Sequence, residues 1–478
     1  MIIRHTLSYT AVKFLPGIAS MAALMVFTRL MTPDQYGKYS LTVNITATAV
    51  AILGSFLVIG LGRFEPATHT IEGKAQLHST VIGTALLLVF TVVGLTAILG
   101  MFDALPNLSV NYYFFSALFL LSLLLMLSQK LINANLKPKA YGLSLALKNI
   151  LLLIAGAACL VVGFGVHGVL ASLAVASLLA SLPALRLWSK ISWKDFDLKV
   201  LKQLWSYGAP LTFLYLFVMI ISLSDRIFID VMLGAEEVGR YSASYDLTQY
   251  TIAVVASILH LAAFPIILKA YESKGEERTK ALLSVSIRIL LLVMLPVTFG
   301  FIAVKEEVSA VFLGNEFSAT SIMLIPSLAF SVLLATIKSY YFDYAFQITK
   351  TTWLQLLPPM LAAIVNCILN YFMISELGLI GAAYATLVSY IIYLLSSIYF
   401  SRKVFDLPNF PWGFLAKIIV STSVMVLTLR VVNFEFHLIA ELLIKIITGM
   451  FVFSLSICFS ARKELVLLVS SSRAHKIL

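Results

Sequence analysis

Long apolar stretches, each about the length of one membrane crossing, recur along the whole chain. A hydrocarbon core about 30 Å thick requires about 20 mainly apolar residues in a spanning helix. Runs of this length fall at residues 10–30, 36–60, 79–101, 111–132, 140–163, 166–186, 207–233, 240–268, 282–304, 319–345, 352–375, 380–400, 412–432 and 437–460. The pattern predicts an all-α polytopic integral membrane protein with about 14 transmembrane helices.

The connections between these stretches are short, and the composition is that of a membrane protein. Of 478 residues, 60% are hydrophobic and 12% are charged, and the mean hydropathy is +0.97. Soluble domains carry about 25% charged residues, so a soluble enzyme is excluded. The sequence contains neither a GxxxxGKS/T phosphate loop nor an HExxH zinc motif. We expect no enzymatic activity, metal or cofactor, apart from coupling to Na⁺, to H⁺ or to the membrane potential.

The basic residues divide unevenly between alternate loops. With a cytoplasmic N-terminus, 23 of the 34 Lys and Arg residues lie in inner loops and tails, and 5 lie in outer loops. Cytoplasmic loops of membrane proteins carry such an excess of Lys and Arg. The asymmetry predicts that both termini are cytoplasmic. Because the basic residues form no cluster, the net charge of +11 does not indicate a nucleic acid partner.

Two copies of a short motif predict an internal repeat. Residues 30–40, LMTPDQYGKYS, align with residues 232–242, MLGAEEVGRYS, at a constant offset of 202. In each copy a helix end and an acidic turn lead into Gly-(Lys/Arg)-Tyr-Ser at the start of the next span. We interpret the glycine as permitting the turn, and the cation and tyrosine as anchors at the outer membrane interface.

The repeat divides the chain into two parallel six-helix lobes. The predicted lobes are residues 1–186 and 207–402, and residues 403–478 add transmembrane helices 13 and 14 with a cytoplasmic tail. The connector, residues 187–206, carries four cations and three tryptophans. We expect it to form an amphipathic helix at the anionic cytoplasmic surface.

Several short motifs together resemble a known family. They are Thr28-Arg29-Leu30, Pro33, Tyr36-Gly37 and Tyr39 in the first half, and Tyr207-Gly208-Ala209-Pro210, Asp225-Arg226, Leu233-Gly234, Val238-Gly239 and Tyr241-Ser242 in the second. With fourteen spans, this pattern resembles the polysaccharide transporter branch of the multidrug/oligosaccharidyl-lipid/polysaccharide exporter superfamily. Within that branch it is similar to O-antigen and capsule repeat-unit flippases.

The resemblance implies a fold and an activity. Two six-helix lobes would enclose a central hydrophilic cavity, with spans 13 and 14 outside them. The protein would move a polyprenyl-pyrophosphate-linked oligosaccharide across the bacterial inner membrane by alternating access, without a covalent step. Its partners would be this lipid-linked glycan, membrane lipid, and a glycan polymerase and synthesis enzymes.

Two other functions fit a chain of this hydropathy. The first is a cation-coupled multidrug exporter of the same superfamily, although a cationic substrate should prefer an acidic cavity, which the first half lacks. The second is a membrane glycan polymerase or glycosyltransferase, which would require a catalytic loop that we do not find.

Ionisable side chains inside the spans are the candidate functional residues, because each costs several kcal/mol if it faces lipid. Up to Lys190 the chain has twelve Lys and Arg residues but only four acids, all at span ends, which favours an anionic substrate. The expected substrate-binding residues are Arg226, Lys148, Lys338, Arg29 and Arg63. A coupling or structural role is expected for Asp225 and Asp343, and helix bends are expected at Pro16, Gly17 and Pro210.

Asp225 and Arg226 are the sharpest of these candidates. They lie about 12 Å from the outer end of span seven, and adjacent helical residues point about 100° apart. Each therefore needs a partner on another helix, a cavity or a substrate. We expect Asp225 to be a structural partner of another helix or part of a coupling-ion site, and we favour the structural role. Lys338 and Asp343, five residues apart, would not face each other on an α-helix, so no ion pair is expected there.

Overall fold

The regular structure of this chain is helical throughout the part that the computed structural model describes, residues 2–101, 112–188, 191–351, 353–431, 437–466 and 468. The α-helices are α1 (Ile2–Leu30), α2 (Pro33–Phe64), α3 (Ile71–Met101), α4 (Tyr112–Ala134), α5 (Pro138–Val162), α6 (Gly165–Ser181), α7 (Leu198–Leu233), α8 (Ala235–Thr248), α9 (Val254–Ala303), α10 (Lys305–Phe312), α11 (Asn315–Ile337), α12 (Asp343–Thr349), α13 (Leu357–Leu377), α14 (Leu379–Val404), α15 (Trp412–Val431) and α16 (Leu438–Ser460). The all-α prediction is confirmed.

Each of the fourteen predicted spans falls on helix. Judged by length and composition, eleven helical segments of the described residues are long and apolar enough to cross a membrane. Parts of predicted spans eight and nine share the long helix α9, where Gly275 interrupts the helical backbone with a φ of 79°. Glycine adopts a positive φ at little steric cost, so Gly275 marks the turn between these two spans.

The chain forms two compact units. Unit one comprises Met1–Ala243 and Ala362–Ala385, and unit two comprises Ser244–Leu361 and Thr386–Leu478. The lobe boundaries drawn from the sequence repeat stay a prediction. Unit two contains two π-helical turns, Gln249–Ala253 and Lys338–Phe342. Such wide turns inside α-helices are frequent at functional sites.

In unit one, α2 packs against both α4 and α7. Leu57 of α2, Leu123 of α4 and Leu204 of α7 are buried in one apolar cluster. A methyl group on Gly208 of α7 would overlap backbone atoms of Phe56. The two helices therefore approach each other to backbone contact at this glycine.

The connector is not the single amphipathic helix that its sequence predicts. Its described part contains only a short 3₁₀ turn, Trp193–Asp195, before α7 begins. Two backbone N–H groups bind hydroxyls of α3 instead: Ser192 donates to Ser79 Oγ and Asp197 donates to Thr80 Oγ1, each at 3.0 Å. These two hydrogen bonds hold the connector against α3.

The two copies of the repeated motif pack against each other in unit one. A methyl group on Gly37 would overlap the carbonyl oxygen of Ala235, and one on Gly239 would overlap the carbonyl oxygen of Pro33. The contact is reciprocal, because these pairs are related by the same offset of 202. Both glycines lie inside helices, α2 and α8, so the interpretation that they permit a turn was wrong. They permit two helices to cross at backbone distance.

In unit two, a buried lysine joins α16 to α10. Lys445 Nζ binds Glu307 of α10, and it also binds Glu441 one turn earlier on its own helix at 3.0 Å. Glu441 and Lys445 are four residues apart and share a helix face, whereas the contact with Glu307 joins two helices. The second carboxylate places opposite charge on both sides of the buried ammonium, which lowers the free energy of burying it.

The close crossing of α2 and α8 at Gly37 and Gly239 predicts that glycine-to-alanine substitutions lower stability there but not at an open position. Gly37→Ala or Gly239→Ala should destabilise the protein by about 1–3 kcal/mol, because the added methyl group forces the helices apart. Gly94→Ala in α3 is the control, since a methyl group there would meet no atom within 4 Å and alanine favours the helix by about 1 kcal/mol. Thermal unfolding of the purified full-length variants measures the difference. A Gly37→Ala protein as stable as Gly94→Ala would contradict the crossing.

Candidate functional site

The adjacent residues Asp225 and Arg226 of α7 bind the adjacent residues Tyr241 and Ser242 of α8. The Tyr241 hydroxyl donates to Asp225 Oδ2 at 2.6 Å, and Arg226 Nε donates to Ser242 Oγ at 3.0 Å. Arg226 Nη1 also donates to the carbonyl oxygen of Ser222, one turn earlier, at 2.8 Å. Asp225 and Arg226 are each 1% exposed, so the second motif copy supplies polar partners to two fully buried charges.

Two asparagines of α13 complete the surroundings of Asp225. Asn370 Nδ2 and Asn366 Nδ2 donate to Asp225 Oδ1 at 2.7 and 3.1 Å. Ser224 Oγ donates to Asn366 Oδ1. Asn370 Oδ1 is buried and has no hydrogen-bond partner among the described residues. We call Ser224, Asp225, Tyr241, Asn366 and Asn370 the Asp225 cluster.

The structure agrees with the sequence on what Asp225 needs and corrects one assignment. As expected, Asp225 and Arg226 bind separate groups on another helix. Tyr241 was expected to anchor α8 at the membrane interface, but it is fully buried and binds Asp225. Sequence reasoning missed Asn366 and Asn370, although two amides four residues apart in an apolar span lie on one helix face and signal a polar partner.

The first motif copy lacks this charged pair. At the offset of 202, Asp225 and Arg226 correspond to Ala23 and Leu24 of α1. Tyr39, the counterpart of Tyr241, packs edge-on against the ring of Phe27 at 5.9 Å. The intramembrane pair of charges is therefore a feature of the second copy.

In unit two, Lys338 and Asp343 form an ion pair, which the sequence analysis did not expect. Lys338 Nζ lies 2.6 Å from Asp343 Oδ2 and 3.7 Å from the ring centroid of Tyr393, and Ser397 Oγ donates to Asp343 Oδ1 at 3.0 Å. The prediction assumed α-helical spacing and was wrong. Lys338–Phe342 is a π-helical turn, in which backbone hydrogen bonds join residues five apart. Residues 338 and 343 therefore lie on the same side of the helix.

The remaining predicted substrate-binding residues are scattered. Lys148 is half-buried in α5, and Arg29 and Arg63 are exposed in the last turns of α1 and α2. Arg29 Nη1 donates to the carbonyl oxygen of Met25 at 3.0 Å. Binding of substrate by Lys148, Lys338, Arg29, Arg63 and Arg226 stays a prediction.

The predicted helix bends are also untested. α1 continues through Pro16 and Gly17, and the carbonyl oxygen of Pro16 accepts hydrogen bonds from Ser20 Oγ at 3.0 Å and from Asn149 Nδ2 at 3.3 Å. α7 continues through position 210, and the side chain of Pro210 lies outside the described residues. In the part of the chain that is described, no three His, Cys, Asp or Glu residues are grouped as metal ligands.

The sequence matches a family of known proteins and two curated relatives. A family model described as polysaccharide biosynthesis protein matches residues 2–271, more than half of the chain. The probable low-salt glycan biosynthesis flippase Agl15 of Haloferax volcanii is 25% identical over 166 residues, 35% of this chain and 34% of the relative. The putative O-antigen transporter of Shigella flexneri is 24% identical over 216 residues, 44% of this chain and 49% of the relative. The chain thus matches a third to a half of the length of these relatives.

Solved transporter structures share the fold. The lipid II flippase MurJ in an inward closed conformation superposes with a TM-score of 0.79 and 14% identity, covering 96% of this chain and 99% of that chain. An inward-facing multidrug resistance MATE family transporter of the MOP superfamily gives a TM-score of 0.67 at 14% identity, covering 84% and 98%. At these identities the likeness shows the fold alone.

The buried ion pair of unit two predicts a compensating double substitution. Lys338→Met leaves the Asp343 carboxylate buried without its cation and should destabilise the protein by about 3–5 kcal/mol. Adding Asp343→Leu should restore most of the loss, because two apolar side chains need no partner. Lys38→Met is the control, since Lys38 and its partner Asp34 are both exposed and such pairs contribute at most about 1 kcal/mol. Thermal unfolding of the purified variants measures these differences. If Lys338→Met unfolded at the same temperature as Lys38→Met, the result would contradict the pairing.

Proposed function

Because this chain belongs to the family of polysaccharide biosynthesis proteins, we propose that it is a transporter that moves a lipid-linked glycan across a membrane. The family match over residues 2–271 carries the proposal. Its two curated relatives are named a glycan biosynthesis flippase and an O-antigen transporter. These names favour a transporter over an enzyme, and the fold is shared with the lipid II flippase MurJ.

The proposed substrate is a polyprenyl-pyrophosphate-linked oligosaccharide, and the proposed location is the bacterial inner membrane with both termini cytoplasmic. The first 190 residues carry twelve cations and four acids, which suits an anionic head group. A membrane potential that is negative inside would favour outward movement of that group by about 2.3 kcal/mol per charge per 100 mV. Lys148 and Arg226 are the intramembrane cations assigned to the pyrophosphate in this proposal; Arg226, which is buried and bound to Ser242 here, would reach the ligand only in a conformation that exposes it.

The Asp225 cluster is our proposed site for a coupling cation. Carboxylate and amide oxygens are the ligands that hard cations prefer, and an acidic residue inside a membrane helix is commonly a functional group. The observation that fits a cation is Asn370 Oδ1, a buried oxygen without a hydrogen-bond partner among the described residues, next to Asp225. Asp225, Asn366 and Asn370 would hold Na⁺ there, or Asp225 would take up H⁺. The alternative is that these contacts serve only to join α7, α8 and α13.

The rate at which the purified protein flips glycolipid tests the proposed transport and the role of Lys148. Vesicles containing undecaprenyl-pyrophosphate-linked oligosaccharide are treated with an external glycosidase, which cleaves only glycan in the outer leaflet. The wild-type protein should make the inner-leaflet glycan accessible far faster than vesicles without protein. Lys148→Ala should slow this by about tenfold, an effect of about 1.4 kcal/mol, whereas Lys194→Ala in the connector should not.

The same assay, repeated with Na⁺, K⁺ or a pH gradient, tests coupling. Asp225→Asn keeps the shape of the side chain but removes its charge, so the dependence of the flipping rate on the ion should disappear at unchanged protein content. Asp34→Asn, the same change at an exposed position, should leave the dependence intact. Equal ion dependence in wild type and Asp225→Asn would assign the cluster a purely structural role. No glycan movement by the wild type would contradict the proposed function itself.

A further inference from the structure

A group of aromatic side chains surrounds His260 in unit two, deep in a predicted span. The rings of Phe264 and Tyr340 stack on the imidazole at centroid distances of 5.4 and 4.6 Å, with interplanar angles of 24° and 20°. The Tyr344 hydroxyl lies 2.7 Å from His260 Nδ1. Tyr344 is fully buried, whereas His260, Phe264 and Tyr340 keep part of their surface exposed.

The depth of His260 argues against a lipid-facing position. His260 precedes Lys269, the first cation after it in the chain, by nine residues, or about 13 Å along a helix. Histidines within membrane helices almost always face the protein interior or a water-filled cavity. The position of His260 therefore favours a polar space over hydrocarbon beside the exposed part of this aromatic group.

The π-helical turn places Tyr340 in this group. Tyr340 lies in the middle of Lys338–Phe342, and the ion pair between Lys338 and Asp343 closes the turn. A second π-helical turn, Gln249–Ala253, directly precedes the helix that carries His260. One wide turn thus carries a member of the aromatic group, and the other ends seven residues before His260. Such turns are frequent at functional sites.

We propose that Tyr340, backed by His260, is a stacking surface for a sugar ring of the transported glycan. The C–H face of a pyranose packs against an aromatic ring, while tyrosine hydroxyl and imidazole groups exchange hydrogen bonds with sugar hydroxyls. Binding sites commonly combine aromatic walls with a few polar groups in this way. The inference rests on the proposed function and adds to it a subsite for the carbohydrate, separate from the cations assigned to the pyrophosphate. Lys338 and Asp343 are positioning residues, because their pair holds the turn that presents Tyr340.

The test compares three probes bound to the full-length protein in nanodiscs. They are undecaprenyl pyrophosphate, the same lipid carrying a (1→4)-linked hexose tetrasaccharide, and that glycolipid after periodate oxidation and borohydride reduction. The last treatment opens pyranose rings at vicinal diols but keeps the chain and the pyrophosphate. Because stacking recognises the ring face, the tetrasaccharide need not be the native glycan. We expect the wild type to bind the intact glycolipid about tenfold more tightly than either other probe.

Substitutions at Tyr340 locate the effect. Tyr340→Leu should abolish the tenfold preference and leave the affinity for undecaprenyl pyrophosphate unchanged, while Tyr340→Phe should keep most of the preference. Tyr399→Leu, at an exposed tyrosine of α14, is the control and should bind like the wild type. Thermal unfolding verifies folding, and the ring-opened probe tests the proposal on the wild type alone if Tyr340→Leu does not fold.

The possible results separate the two levels of the proposal. A wild type that binds the ring-opened glycolipid as tightly as the intact one overturns the stacking surface. A Tyr340→Leu protein that keeps the preference also overturns it, as does one that loses affinity equally for undecaprenyl pyrophosphate and for the intact glycolipid. A wild type that binds neither undecaprenyl pyrophosphate nor the intact glycolipid contradicts the proposed function as well.

Discussion

The pairing of Asp225-Arg226 with Tyr241-Ser242 is the interaction on which the site in unit one depends. A lone charge in this environment costs several kcal/mol, and adjacent residues of one helix point too far apart to neutralise each other. Two adjacent hydroxyl groups on α8 meet both charges at hydrogen-bond distance. α8 can approach α2 this closely only because Gly37 and Gly239 lack side chains. The glycines of the motif therefore set the distance between the helices, and its hydroxyl groups supply the partners of the two charges.

The buried Lys338 of unit two is neutralised differently. Lys338 finds its partner on the same segment, because a π-helical turn brings residue 343 under residue 338. The wide turn also sets the ring of Tyr340 against His260. In both units, polar chemistry inside the membrane is coupled to a departure from ordinary helix packing, a glycine crossing in one and a π-helical turn in the other.

The sequence predicts much of the fold, since twenty-residue apolar runs leave the backbone no alternative to helices in lipid. It also predicts that Asp225 and Arg226 need separate partners. It does not identify the partners of Asp225, because Asn366 and Asn370 lie more than 140 residues from it in the chain. Only the packing of α13 against α7 brings them together. The Lys338–Asp343 pair was missed because the spacing rule assumes an α-helix. The connector was misjudged because its contacts with Ser79 and Thr80 are tertiary.

The leaflet in which the lipid-linked glycan resides tests the transport account most directly. In cells that encode this protein, glycan accessibility to a glycosidase is measured in right-side-out and inside-out membrane vesicles, before and after depletion of the protein. The account predicts that the glycolipid is still synthesised but accumulates in the cytoplasmic leaflet, and that wild-type protein restores it to the outer leaflet. An unchanged distribution, or a loss of the glycolipid itself, would contradict it; the second result would indicate a role in synthesis instead.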